Sequence, residues 1–337
     1  MKYWTIRILV ALFMLPGFTP LAAQADEPMP PPLEETLPFS YARIWDKPVP
    51  VFPAPGDPVR MNPTTYLLPP DSWVSIDGVV ESGEWLWYRI DDGAYVLASD
   101  VLQPAPSDFQ GVALDATPLT MMGFTITDNL NVRVRPSAVA DSPPLRTLPR
   151  YSTINILGIE EEPDGIWYRI GPQEFVHGDF VRVAYPVSRP HGVASDERWI
   201  AVDLAEQTLS AYQGDRLVYV TMVSSGLPDW PTQEGLFRIW VKFGAGKMEG
   251  GSVEGGDYYY LQDVPWIMYF SREIGLHAAY WHDRFGTPRS HGCVNLSPRD
   301  ALWLFNWATP HLPDATNLIA YHGSHNPGSW VYIFKSG

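Results

Sequence analysis

The stretch Ser290-His291-Gly292-Cys293-Val294-Asn295 decides how the second half of this chain is interpreted. Cys293 is the only cysteine among the 337 residues. A thiol attacks a carbonyl carbon well only as the thiolate, so a catalytic cysteine needs a base nearby. His277 lies upstream of Cys293, and their separation in sequence suits two neighbouring secondary-structure elements joined by a surface loop. The sequence therefore predicts Cys293 as a nucleophile and His277 as its general base.

The residues around this cysteine suit a tight, polar turn. Gly292 can bend the backbone immediately before Cys293, so that main-chain N–H groups converge on one point. Converging donors stabilise the oxyanion that forms when a thiolate adds to a carbonyl. Ser290 and Asn295 are expected to brace the turn through hydrogen bonds. We expect His291 to support the turn or to contact substrate, and it is the alternative candidate for the base.

His277 followed at this spacing by Ser-His-Gly-Cys-Val-Asn resembles the signature of the L,D-transpeptidase (YkuD-type) catalytic domain. The resemblance covers roughly residues 198–324. It includes the segment 231–237, Pro-Thr-Gln-Glu-Gly-Leu-Phe, which departs from the usual Thr-Pro-x-Gly-x-Phe by the order of its first two residues and one added residue. Because Ala278 follows His277, a backbone carbonyl is expected to orient the imidazole ring, and the candidate is one near Ser290.

The resemblance implies a reaction on peptidoglycan stem peptides. Cys293 would attack a tetrapeptide stem at the L-to-D peptide bond before the terminal D-alanine, while His277 shuttles the proton. An amine from a second stem would then resolve the thioacyl-enzyme and form a cross-link or an anchoring bond. Water as the acceptor would make the protein an L,D-carboxypeptidase. The resemblance also implies inactivation by carbapenems more readily than by most penicillins, and a reaction that needs no metal or organic cofactor.

Two further residues are candidates for substrate binding. Arg289 could pair with a substrate carboxylate, and an ordinary exposed loop arginine is the alternative. Tyr269 could wall the substrate channel, and core packing is the alternative. A zinc site formed by Cys293 and the neighbouring histidines is disfavoured, because neither H-E-x-x-H nor a paired Cys-x-x-Cys occurs. His282 lies outside the motif and is expected in a surface loop. The histidine-before-cysteine order argues against papain- or P60-like peptidases.

Composition predicts a mainly β protein of two or three domains. The chain is too long for one ordinary core, and its 34 prolines, 27 glycines and many aromatic residues indicate short strands and turns. A net charge of −15 disfavours binding to nucleic acid or to anionic membranes. A non-catalytic scaffold that binds the cell wall is the remaining alternative to an enzyme.

The N-terminus has the pattern of a secretory signal peptide. Lys2 and Arg7 form a basic start, the apolar run 8–15 follows, and Ala23-Gln24-Ala25 is an A-x-A cleavage site. The apolar run is too short for a stable membrane span, and a retained anchor is the alternative. We therefore predict a signal peptide over 1–25, a proline-rich linker over 26–38, and an extracytoplasmic protein. It would be secreted or cell-wall associated, or periplasmic if the cell has an outer membrane.

An internal repeat separates these segments from the motif. Residues 87–90, Trp-Tyr-Arg-Ile, recur as residues 167–170, and their alternation is typical of half-buried strands. The two blocks, 39–106 and 119–185, resemble bacterial SH3-like domains and predict two small β-barrels. Such modules either contact the wall, through its glycan strands, or act as spacers. Trp87 and Trp167 are expected in the barrel cores.

A linker over 186–197 precedes the predicted β-rich catalytic domain, 198–337. Within this domain, Ser297-Pro298 is a strong helix start, so a short helix should follow the cysteine and stop before Thr309-Pro310. The segment 244–257 is rich in glycine and almost free of apolar residues. It predicts a mobile loop that is either a flap over the cleft or a plain hairpin turn.

Overall fold

The structure of the chain is a computed structural model. It describes residues 36–337 except 64–65, 92, 117, 119, 140–141, 253 and 313–318. The predicted signal peptide, 1–25, and most of the predicted proline-rich linker lie outside the described residues. Within these described ranges, no helix is long and apolar enough to cross a membrane.

The described chain is mainly β, as the composition predicts. A first β-rich unit contains β1 (Ser40–Arg43), β2 (Val49–Pro50), β3 (Leu67–Leu68), β4 (Trp73–Ile76), β5 (Gly78–Ser82), β6 (Trp85–Asp91) and β7 (Ala94–Leu97). Strand β1 pairs antiparallel with β4, and β5, β6 and β7 form an antiparallel sheet. Their core consists mainly of small and branched aliphatic side chains: Ala42, Ile44, Val49, Val51, Leu68, Val74, Ile76, Ile90, Val96 and Val101.

A short strand, β8 (Val112–Ala113), separates this unit from a second β-rich unit. The second unit contains β9 (Met121–Thr125), β10 (Leu130–Arg133), β11 (Pro144–Leu148), β12 (Thr153–Ile156), β13 (Gly158–Glu162), β14 (Gly165–Gly171), β15 (Glu174–His177) and β16 (Val181–Ala184). Three-residue 3-10 helices, Ala98–Asp100 and Gly178–Phe180, follow β7 and β15. The two units thus repeat the same local order of strand, strand, strand and short helix.

The repeated tryptophans lie in the interiors of these units, as predicted. Trp87 on β6 and Trp167 on β14 are 0% and 1% exposed. Trp87 is paired with Leu97 and Trp167 with His177, at equivalent positions of the two hairpins. These side chains are therefore core residues and not an exposed platform for sugars. The assignment of the units as SH3-like barrels stays a prediction.

The remaining elements form two sheets and one helix. They are β17 (Arg198–Asp203), β18 (Thr208–Gln213), β19 (Arg216–Met222), β20 (Gly235–Arg238), β21 (Val241–Gly250), β22 (Tyr259–Ser271), β23 (Ile274–Ala278), β24 (Val294–Leu296), α1 (Pro298–Trp307), β25 (Ile319–Tyr321) and β26 (Trp330–Phe334). One sheet has the order β20-β26-β17-β18-β19-β8. The other has β1-β4-β22-β21-β25, with β23 on β22 and β24 on β23. Buried side chains of both sheets and of α1 pack into one cluster.

Helix α1 begins as the sequence predicts. The Ser297 side chain accepts a hydrogen bond from the Asp300 N–H, Pro298 is the first helical residue, and the helix ends at Trp307. Asp300 is fully buried and accepts hydrogen bonds from the Tyr219 hydroxyl at 2.7 Å and the Gly111 N–H at 2.8 Å. This carboxylate therefore ties the helix to both β19 and the segment before β8.

Two segments differ from what the sequence pattern indicates. Only half of the glycine-rich segment 244–257 is outside a strand, because β21 runs to Gly250 and pairs with β22 as far as Tyr259. The segment belongs to a long hairpin, as in the hairpin alternative, and its turn begins after Gly250. Residues 107–118 lie between the two predicted β-rich blocks. They supply β8, which pairs with β19 at the edge of the sheet β20-β26-β17-β18-β19-β8. Gly111 is required there, since a Cβ would lie 2.4 Å from the Val220 carbonyl oxygen.

The first unit is joined to the long hairpin. Trp73 of β4 pairs in parallel with Leu261 of β22, and the Tyr41 hydroxyl donates to the Asp263 carbonyl at 2.8 Å. Gln262 donates through Nε2 to the Ile90 carbonyl at 2.8 Å. The sheet that contains β22 therefore continues into β4 and β1, which lie some two hundred residues earlier in the chain.

We expect Asp300→Ala to lower the free energy of unfolding by about 3 kcal/mol, because it leaves buried donors on Tyr219, Gly111 and Thr221 without their acceptor. Urea denaturation followed by tryptophan fluorescence measures this loss. The exposed Asp196→Ala is the control and should stay within about 0.5 kcal/mol of the parent protein. An equal stability for Asp300→Ala and the parent would contradict the role given to this carboxylate.

Candidate active site

A parallel strand pair brings the predicted nucleophile and base together. Strand β23 pairs with β24 so that Leu276 lies opposite Val294, and His277 opposite Asn295. Cys293 directly precedes β24. Cys293 and His277 line the same cavity, which has a volume of about 420 Å³. The geometry therefore places the two residues of the motif on one concave surface, as the sequence predicts.

The turn before the cysteine depends on Gly292 and Ser290. Gly292 has a φ of 116°, a conformation that L side chains rarely adopt, and a Cβ there would lie 2.8 Å from Ile274 Cδ1. The Ser290 hydroxyl donates to the Cys293 carbonyl and accepts from the Gly292 N–H at 3.0 Å. Ser290 braces the turn as expected. The Gly292 N–H is used within the turn, so an oxyanion site requires other donors, such as the Cys293 N–H.

The imidazole of His277 is buried, with 2% of the residue exposed. Its Nδ1 lies 3.0 Å from the Ala278 carbonyl oxygen. Because a carbonyl can only accept, Nδ1 carries the proton and Nε2 is left with a free lone pair. A backbone carbonyl thus orients the ring as predicted, although it belongs to Ala278 and not to a residue near Ser290. Burial lowers the pKa of His277 to about 4, so the ring is a neutral proton acceptor at pH 7.

The thiol of Cys293 faces the turn between β22 and β23. Its Sγ lies 3.7 Å from the Glu273 carbonyl oxygen, and the Gly275 N–H points toward it. The Cys293 side chain is partly exposed, but the walls of the cavity limit its contact with solvent. This burial, aided by the negative charge of Glu273, raises the thiol pKa to about 11 against the opposing effect of the Gly275 N–H. The resting pair is therefore a neutral thiol and a neutral imidazole.

His282 is not the surface residue that the sequence predicts. It is half-buried and lines the cavity, 3.0 Å from the amide nitrogen assigned to Asn295. Its Nδ1 accepts from the Arg284 N–H at 3.3 Å. A neutral imidazole has only one N–H, so Nε2 must carry it and Asn295 must accept through Oδ1. Reversing the amide in this way pairs Oδ1 with the His282 N–H and turns Nδ2 to the buried position that has no partner among the described residues.

Burial, reinforced by the charge of Arg289, lowers the pKa of His282 to about 3, so this ring is also neutral at pH 7. Asn295 therefore supports the site by holding a second histidine on the cavity wall, in addition to its backbone pairing with Ser224. In the described part of the chain, no three side chains of His, Cys, Asp or Glu are grouped so that they could hold a metal ion.

His291 packs between aromatic rings. Its ring centroid lies 4.3 Å from that of Trp230 and 5.0 Å from that of Tyr259. Its Nε2 is buried and has no hydrogen-bond partner in the described part of the chain. This packing favours the expected role of His291 in supporting the turn over the alternative role as base.

The two predicted substrate-binding residues lie in different settings. Arg289 is exposed and lines the cavity. Tyr269 is half-buried between Trp240 and Phe243, at centroid distances of 6.2 and 6.0 Å, and is not among the described residues that line the cavity. Its environment is that of the core-packing alternative, although its pKa is raised to about 12 by burial and by the nearby Cys293.

Much of the cavity wall lies outside the motif and was missed by sequence reasoning. The long hairpin contributes Met248, Tyr259 and Leu261, and the turn after it contributes Glu273 and Ile274. The first β-rich unit contributes Arg43, Asp71 and Trp73. These residues carry no motif, and only the pairing of β4 with β22 brings the first unit to the cavity. The aromatic residues on the wall are Trp73, Tyr259 and Trp281, and they do not include the expected Tyr269.

Comparison with known proteins assigns this part of the chain. Residues 197–333 match the family model described as the L,D-transpeptidase catalytic domain, YkuD. Residues 197–333 form an L,D-transpeptidase catalytic domain. The protein YciB of Bacillus subtilis (strain 168), whose name assigns it provisionally to the L,D-transpeptidases, is 28% identical over 133 residues. That match covers 36% of this chain and 64% of YciB, so it spans less than two thirds of the relative.

Two solved structures are also similar to parts of this chain. The L,D-transpeptidase (Yku) from Stackebrandtia nassauensis is 27% identical, with a TM-score of 0.28, over 42% of this chain and 58% of that chain. An Enterococcus faecium L,D-transpeptidase mutant is 24% identical, with a TM-score of 0.33, over 45% and 55%. The family match places the domain boundary one residue before the predicted start at Arg198.

The neutral resting pair in this L,D-transpeptidase domain predicts a particular pH dependence. Because only the thiolate is alkylated and the Cys293 pKa is raised to about 11, the rate of iodoacetamide alkylation should rise about tenfold per pH unit from pH 7 to 10. Intact-mass spectrometry measures this rate. The urea-unfolded chain is the control and should level off near the ordinary thiol pKa of about 9. A plateau already reached at pH 7 would instead indicate a thiolate–imidazolium pair.

Proposed function

We propose that this protein is an exported, cysteine-dependent L,D-transpeptidase that joins peptidoglycan stem peptides. The observation that carries the proposal is the β23–β24 pairing within the matched domain, which sets the unprotonated Nε2 of His277 and the Cys293 thiol on one cavity. A nucleophile and a neutral base on the same wall are the minimum that acyl transfer through a thioester requires.

The proposed reaction begins with proton transfer from the Cys293 thiol to His277 Nε2. The thiolate adds to the carbonyl carbon before the terminal D-alanine of a tetrapeptide stem, and the Gly275 N–H and Cys293 N–H are the proposed donors to the oxyanion. Collapse breaks the C–N bond, and the imidazolium protonates the departing amine. This leaves free D-alanine, a thioester on Cys293 and a neutral His277.

In the second half of the reaction, an amine from another stem attacks the thioester. His277 takes a proton from the attacking nitrogen, an amide bond forms, and the C–S bond breaks. The imidazolium then returns the proton to the leaving thiolate. No other acid or base is needed, because the same histidine accepts and donates one proton in each half.

The dimensions and lining of the cavity support an extended peptide as substrate. A volume of about 420 Å³ lies within the range of small-ligand pockets, and its walls combine aromatic and aliphatic surfaces with a few polar groups. Met248 and Tyr259 on the hairpin form one such wall. Exposed Arg289 is the proposed partner of a stem carboxylate.

Two alternatives to transpeptidation are also compatible with this cavity and its residues. With water as acceptor, the thioester would hydrolyse and the protein would be an L,D-carboxypeptidase. A non-catalytic wall-binding scaffold is the other, and the presence of an oriented His277 and of Cys293 on one cavity disfavours it. Export, with residence in the wall or periplasm, and binding of glycan strands by the two β-rich units belong to the same proposal.

Incubation with a purified disaccharide-tetrapeptide, followed by mass spectrometry of the products, tests this function. We expect cross-linked dimer and free D-alanine in equal amounts, with any tripeptide monomer reporting hydrolysis. Cys293→Ala should form neither product. His277→Gln should be slower by about a thousandfold, since it removes the general base.

The exposed His191→Gln is the matched control and should retain the parent rate. Tripeptide monomer alone would favour the carboxypeptidase, and dimer formation by Cys293→Ala would contradict the proposal.

A further inference from the structure

The first β-rich unit supplies a charged pair to the wall of the catalytic cavity. Arg43, the last residue of β1, donates from Nη2 to Asp71 Oδ1 at 2.6 Å. Its guanidinium also lies 4.2 Å from the ring centroid of Trp45. Arg43, Asp71 and Trp73 line the same cavity as Cys293. A unit outside the L,D-transpeptidase domain therefore meets any substrate that fills this cavity.

This wall is fixed relative to the catalytic residues. The Trp73–Leu261 bridge and the hydrogen bond from Tyr41 to Asp263 hold the unit on β22. Ser75 adds a second bond to the Asp263 side chain at 2.5 Å. Because β22 also pairs with β23, which carries His277, Arg43 on β1 and the base belong to one continuous sheet, and Asp71 lies just before β4 of that sheet. The pair is presented at a set position and is not on a freely moving module.

Arg43 and Asp71 retain hydrogen-bonding capacity that the protein does not use. The Nε–H of Arg43 is buried and has no partner among the described residues, and the Asp71 side chain is 65% exposed. Because the Arg43 Nε–H is shielded from solvent, the groups open to a ligand are the Asp71 carboxylate and the exposed part of the Arg43 side chain, and charged groups on a cavity wall indicate a polar ligand.

The charges of Arg43 and Asp71 indicate which class of ligand the pair would bind. A guanidinium bonded to a carboxylate is neutral overall, so a ligand with a single charge would leave one charge unbalanced in the cleft. A group with an ammonium and a carboxylate on one carbon atom complements both partners through charge-assisted hydrogen bonds. Its ammonium would face Asp71, and its carboxylate would face Arg43.

We propose that Arg43 and Asp71 bind the amino-acid head group of the amine acceptor. The proposal rests on the proposed function, which requires an amine to resolve the thioester on Cys293. The first β-rich unit is then the acceptor subsite of the enzyme and not a spacer. Recognition of the head group precedes the reaction, in which the ammonium loses a proton and its nitrogen attacks the thioester.

Comparing glycine with glycinamide as the amine acceptor tests the Arg43 and Asp71 contacts separately. Both molecules carry the amine, and only glycine carries the carboxylate. The full-length enzyme is incubated with tetrapeptide donor and either amine. Mass spectrometry then gives the ratio of aminolysis to hydrolysis of the same thioacyl-enzyme. Arg43→Gln should lower this ratio about tenfold for glycine and leave it unchanged for glycinamide. Asp71→Asn should lower the ratio for both amines, and Arg43→Lys should give an intermediate loss for glycine.

The control is Asp77→Asn, which removes a matched 2.7 Å ion pair with Arg89 on the same unit but outside the cavity lining. Asparagine tolerates the backbone conformation of Asp71, so the variant should unfold at the parent temperature. Parent ratios in Arg43→Gln and Asp71→Asn would overturn the proposal, as would equal losses for both amines in Arg43→Gln. A parent enzyme that forms no thioacyl-enzyme at all would overturn the proposed function itself.

Discussion

The parallel pairing of β23 with β24 is the constraint on which the site depends. Side chains alternate between the two faces of a strand, so a slip of one residue would turn His277 away from the cavity. The register that places His277 opposite Asn295 is therefore as necessary to the site as the residues themselves. Gly292 and Ser290 then shape the turn that delivers Cys293 to the start of β24.

Parts of the chain outside the catalytic domain hold the loop that connects these strands. Asp283 accepts hydrogen bonds from Ser107 and from the Tyr151 hydroxyl, and its carbonyl accepts from Arg150. Arg182 of β16 donates to the Gly286 carbonyl at 2.8 Å. The second β-rich unit thus contacts the loop that carries His282, while the first contacts the hairpin that walls the cavity. Both units contribute to the geometry of the site.

The sequence predicted the elements whose causes are local. Ser297-Pro298 specifies a helix start through its own capping chemistry, and the motif around Cys293 specifies a turn through Gly292 and Ser290. The repeated tryptophans are expected in interiors because each lies in a strand-like segment that recurs in both blocks. In each case the residues that decide the structure are neighbours in the chain.

Features that depend on distant partners were not predictable in this way. His282 reads as a surface-loop residue until the fold places Asn295 beside it. The glycines of β21 suggest a loop because single residues of this type disfavour strands, yet pairing with β22 overrides that preference. Arg43 and Asp71 resemble any surface ion pair until the β4–β22 pairing carries them to the cavity.

The most direct test of Cys293 as the acylated nucleophile is intact-mass spectrometry of residues 26–337 after incubation with a carbapenem, followed by peptide mapping. The account predicts one adduct per chain, located on Cys293, absent from Cys293→Ala and slow to form in His277→Ala. An unmodified chain, or an adduct that persists in Cys293→Ala, would contradict it.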